Sequence, residues 1–80
     1  MNTALLTRPW SSHKPRVVGY EPTISGTIER VSRSKRNAWR CIATVDGTPM
    51  MTSHQNTREA AESRLAGMMD AYTEVHYESK

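Results

Sequence analysis

Between residues 57 and 77 apolar side chains return at helical spacing. Ala61, Leu65, Met68, Tyr72 and Val75 stand four, three, four and three residues apart, with Met69 beside them. That spacing places them on one stripe of an α-helix. Arg58-Glu59-Ala60-Ala61-Glu62 is good helix-forming sequence, and Thr57, or Asn56 with Glu59, supplies an N-cap. Arg58, Glu59, Glu62 and Asp70 fall off the stripe. A helix with one apolar stripe must bury it against another element. Gly67 is a weak point, worth roughly 1 kcal/mol against Ala, or a place where helix and sheet approach closely.

The partner for that stripe lies upstream. Residues 38–46 alternate: Trp39, Cys41, Ala43 and Val45 share one face, and Arg40, Ile42 and Thr44 share the other. Asp46-Gly47 is a strong tight-turn dipeptide. Residues 48–54 read as a short third strand, and Pro49 inside it argues for a sheet edge. Residues 24–32 read as a first strand. Ile24, Gly26 and Ile28 share one parity and Val31 has the other, so a bulge near Arg30 is expected. Residues 33–37 form a charged turn in which Asn37 tolerates positive φ.

The sum is an α+β fold, β-β-β-α. A three-stranded antiparallel sheet is covered by one C-terminal helix. The expected core is Ile24, Ile28, Trp39, Cys41, Ala43, Val45, Met51, Ala61, Leu65, Met68 and Tyr72. Residues 23–80 form the single domain. Residues 1–22 hold three of the four prolines and no periodic apolar pattern, and read as a flexible basic tail. Such a core is small, so a homodimer is a plausible supplement. Trp10, Tyr20, Ile42 and Met69 are the spare apolar groups for it.

Length bounds function. A chain of 80 residues with one cysteine carries one domain and no internal disulfide framework. It has no apolar run long enough to span a bilayer, and no secretory signal pattern opens it. The expected location is cytoplasmic, with Cys41 a small buried hydrophobe. Catalytic residues, cofactors and metal ligands are not expected. His13, His54 and His76 are scattered, Cys41 lacks a paired ligand, and the four glycines form no phosphate loop. Glu59 and Glu62 are neighbours on an exposed helical face and read as a solvated surface.

Charge is the informative feature. The formal net charge is +3, but residues 1–40 hold eight cations and two anions, while residues 41–80 hold three cations and six anions. Arg30, Arg33, Lys35, Arg36 and Arg40 fall within eleven residues with no acid between the first and last. They gather on one β-hairpin, and a two-stranded ribbon fits the major groove of duplex DNA. Arg8, Lys14 and Arg16 could act as a basic arm. A charged hairpin also serves simply to keep a sheet from aggregating. The acidic helix residues Glu59, Glu62, Asp70, Glu74 and Glu78 suit a protein partner or plain solubility.

From Gly26 to about Met69 the order of features resembles a recurring small domain. Gly26-Thr27-Ile28 is followed by Trp39-Arg40-Cys41-Ile42-Ala43, then Asp46-Gly47, then Thr57-Arg58-Glu59-Ala60-Ala61 and Leu65. This is similar to the three-stranded-sheet-plus-helix modules of plant ethylene-response-type transcription factors. It also resembles the arm-binding domains of phage and transposon tyrosine recombinases. The resemblance implies that an exposed sheet face enters the major groove and that arginines on it contact bases. It implicates Arg30, Arg33 and Arg40, with Lys35 and Arg36 at the turn. Three positions depart from that pattern: Gln55 replaces an aromatic, Pro49-Met50-Met51 replaces basic or polar residues, and Glu29 places an acid near the face. Small phage proteins that inhibit host enzymes, including a podophage inhibitor of bacterial RNA polymerase, are similar in the Trp strand and the helix start.

The sequence therefore points to a small non-enzymatic binding protein, of phage or mobile-element type, that contacts duplex DNA through Arg30, Arg33, Lys35, Arg36 and Arg40. An inhibitor that docks on a host protein, and a homodimeric accessory protein, remain open beside it.

Overall fold

The computed structural model describes residues 3–7 and 13–79. Among the described residues seven elements follow in chain order: β1 (Thr3–Thr7), β2 (His13–Pro15), β3 (Ile24–Arg30), β4 (Trp39–Val45), β5 (Thr48–Gln55), α1 (Arg58–His76) and β6 (Tyr77–Ser79). The fold is α+β. Strands β3, β4 and β5 form the expected antiparallel meander, and α1 covers one face.

Register puts the apolar parity under the helix. Ile24, Gly26 and Ile28 pair with Val45, Ala43 and Cys41. All six are buried, and Ala61, Leu65, Met68 and Met69 meet them from α1. Trp39 and Tyr72 pack against this core half-buried. Asp46 and Gly47 form the two-residue β4–β5 turn, with φ of 53° and 81°. Those left-handed values are what an Asp-Gly hairpin turn requires. Asn37 also has a positive φ, 51°, in the β3–β4 loop.

Several expectations change. A register shift lies between Ala43 and Thr44 opposite β5, and just past Arg30 the amides of Val31 and Ser32 both donate to Ala38 O, two residues against one as the expected bulge has it. Met51 pairs with Ala43 and Pro49 with Thr44, so Met50 is the extra residue. Pro49 cannot donate to the ladder, and the sheet resolves this with a bulge on its edge strand. Met51 is consequently 39% exposed rather than in the core. Val75 is exposed as well, and the stripe passes instead through Met69 and Thr73 to Tyr77. Real helices turn every 3.6 residues, so a four-three-four-three count drifts by its last member. Thr73 is tolerable there because its hydroxyl donates to the Met69 carbonyl at 2.7 Å. Met69, with Tyr77, is thus core and not spare surface.

The segment read as a tail contributes two strands. β1 pairs antiparallel with the outer edge of β3, giving the order β1-β3-β4-β5. Without it, the N–H and C=O row of β3 would face solvent. β2 pairs with β6 past the end of the helix. Residues 1, 2 and 8–12, including Trp10 and Arg8, lie outside the described residues.

From β2 the chain runs as a strap to β3. The Arg16 amide donates to His76 O at 2.9 Å, and its Nε donates to Glu74 O at 2.9 Å. These bonds satisfy carbonyls that the helix end leaves open. The Tyr77 hydroxyl donates to Pro22 O at 2.5 Å. Asp46 receives the Tyr20 hydroxyl at 2.7 Å and the Thr23 amide at 2.8 Å. The Thr23 amide first, then Tyr20, hold the Asp46 carboxyl below its ordinary value.

The close helix–sheet approach occurs at Gly26, not Gly67. A Cβ on Gly26 would stand 2.5 Å from Leu65 Cδ1 and 2.8 Å from Cδ2, whereas Gly67 faces open space. Leu65 is fully buried, so it makes room only by displacing its core neighbours. Gly26→Ala should therefore cost about 1–3 kcal/mol of unfolding free energy, as core overpacking does. Gly67→Ala should gain roughly 0.5–1 kcal/mol. Urea titrations of both variants check the opposite signs.

Asp46 gives a pH prediction. Its folded pKa lies below the unfolded one, so its contribution is present above the unfolded value and fades as pH falls through the folded value. Asp46→Asn keeps a residue suited to the turn. It should melt below the parent at about pH 7, with the gap closing toward about pH 2. Thermal melts across that range read the convergence.

Candidate nucleic-acid interface

The β3–β4 loop, residues 31–38, is ordered by its own side chains. Val31 N donates to Ala38 O at 2.8 Å. The Ser32 hydroxyl accepts from Ser34 N, and the Ser34 hydroxyl accepts from Arg36 N, both at 3.1 Å. Such turns replace ladder bonds where the chain must curve. The Asn37 amide donates to Asn56 Oδ1 at 2.9 Å, tying the loop to the residue before the helix cap. Arg33, Lys35 and Arg36 all project into solvent from this fixed backbone.

Arg30 stands beside them but on the helix side of the sheet. It pairs in register with Trp39, and both continue the buried parity. The Arg30 guanidinium lies 5.9 Å from the Trp39 ring centroid, and the Arg58 guanidinium 5.8 Å. Both distances fall within cation–π range. Arg30 Nε donates to Ser32 O at 3.1 Å, and Arg58 Nε to Glu62 Oε1 at 3.0 Å. Arg58 was not among the expected site residues. Its sequence signal is only its place as the first helical residue after Thr57.

Thr57 caps that helix. Its side chain accepts from Ala60 N at 3.1 Å. The positive end of the helix dipole therefore points to the same end of the sheet as the loop. Arg30, Arg33, Lys35, Arg36 and Arg58 gather there, against Glu59 and Glu62 on the first two helical turns.

Arg40 is separated from this group. It lies on the opposite sheet face, pairs in register with Glu29, and forms an ion pair with it. Arg30 and Arg40 thus do not share a face. Among the described residues no element packs on that open face, which carries Ser25, Thr27, Ile42, Thr44 and His54 beside the ion pair. Ser25 and Thr44 bond hydroxyl to hydroxyl across it.

The proposed basic arm is also redistributed. Lys14 pairs in register with Glu78, and Arg16 is bound at the helix C-terminus. Both stand at the end away from the loop. Burial pushes the Cys41 thiol up, which keeps it a protonated core group. Among the described residues no group of three His, Cys, Asp or Glu could hold a metal, and no helix is long and apolar enough to cross a membrane.

No family model, curated protein or solved structure shows a significant match to this chain.

Proposed function

We propose that this chain is a small non-enzymatic nucleic-acid-binding protein that contacts duplex DNA with the basic end of its sheet. One observation carries the reading: four of the five expected basic residues, joined by Arg58, surround one end of the fold. A convergent field of that sign raises the local concentration of a polyanion. Arg33, Lys35 and Arg36 suit phosphate contact, being exposed heads on a fixed loop backbone. The open sheet face is a poorer candidate, since Arg40 is neutralised there by Glu29.

A second reading has one observation of its own. β5 (TPMMTSHQ) is an edge strand without Lys, Arg, Asp or Glu, and it exposes Met50 and Met51. Edge strands commonly carry charge against pairing with other chains. An uncharged edge suits addition of a strand from a protein partner, as an inhibitor of a host protein would use.

Fluorescence anisotropy of a labelled duplex separates the two. The DNA reading expects micromolar binding at about 50 mM salt and a loss of orders of magnitude by about 200 mM. Arg33→Glu/Arg36→Glu should abolish binding without changing the circular dichroism. Absence of binding at low salt contradicts the reading.

A further inference from the structure

We infer that Arg30, Trp39 and Arg58 form a phosphate clamp, and that the chain grips the phosphodiester backbone of duplex DNA without reading its sequence. This rests on the nucleic-acid reading above and specifies how that surface recognises its ligand.

A base-reading arginine projects a free fork into a groove and meets guanine bidentately. Neither strand arginine is placed for that. Arg40 is held by Glu29, and its Nε is buried without a hydrogen-bond partner. Arg30 lies on the helix side, with its guanidinium near the Trp39 ring and its Nε committed to Ser32 O. The open sheet face therefore presents no unpaired arginine to base edges.

The same restraints favour phosphate. Arg30 and Arg58 approach one indole ring from two different elements, a strand end and a helix start. Each uses Nε internally, and among the described residues their terminal nitrogens make no hydrogen bond. Two guanidinium ends are thus each restrained by one internal Nε bond, with donors left for oxygen ligands. Guanidinium–phosphate pairing is charge-assisted and commonly bidentate. The helix start adds positive potential at the same place, while Glu62 offsets part of the Arg58 charge. Trp39 is half-buried and overlain by these cations, so it serves as their support and not as a stacking platform for bases.

The test titrates three unrelated duplexes of about twenty base pairs with the parent protein, Arg30→Ala and Arg58→Ala, at about 50 and 200 mM salt. Expected are affinities within about threefold among the duplexes. Each variant should weaken binding to all three alike and lower the salt slope by about one phosphate contact. Melting curves confirm that both variants are folded. A purely structural role for Arg58 would leave the slope unchanged and overturns the clamp. A preference of about a hundredfold for one duplex overturns sequence-independent binding while leaving the nucleic-acid reading intact. No binding of the parent to any duplex at low salt overturns both.

Discussion

Leu65 sits directly over Gly26 because Gly26 has no Cβ, and that close approach sets the height of α1 above the sheet. Around it the small residues Ala43, Cys41 and Ala61 complete the floor and roof, and Ile24, Ile28, Met68 and Met69 fill the sides. A domain this small has few apolar groups to bury, so close packing counts for more than volume. Contacts at its two ends show which way the helix runs. Its start lies at the Arg30–Trp39 end, and its last turn lies beside Pro22 and Tyr20, at the Asp46 end.

That direction gives the molecule two chemically different ends. At one, the capped helix start, the β3–β4 loop and Trp39 bring arginines and a lysine together. At the other, the strap from Lys14 to Thr23 ties down the helix exit, and Asp46 collects two hydrogen bonds from the strap. The asymmetry of charge between the sequence halves becomes, in part, an asymmetry in space. It does so imperfectly, because Lys14 and Arg16 are drawn to the acidic end and Arg40 is spent on Glu29.

The meander, its Asp-Gly turn, the capped helix and most of the core were legible because each has a local cause. Alternation, a left-handed dipeptide and an apolar stripe are properties of neighbouring residues. What was not legible depended on partners distant in sequence. Ala4-Leu5-Leu6 lies in a strand only because β3 has an edge to cover, and Arg16 binds a helix carbonyl 58 residues away in sequence. Parity alone separates the two strand arginines. The count from Ile28 to Arg30 already assigns Arg30 to the helix side, and Arg40 to the other. The Glu29–Arg40 ion pair needed the strand register, and the place of Arg58 over Trp39 needed the helix to be docked.

The central claim is that the basic end, and not the open sheet face or the β5 edge, meets the polyanion. Amide chemical-shift mapping during titration with a short random duplex tests it most directly. Binding at the basic end predicts perturbations at residues 30–37, Trp39 and Arg58, with Thr27, Ile42, Thr44 and His54 unmoved. Shifts centred on the open face or on Met50 and Met51 would contradict it.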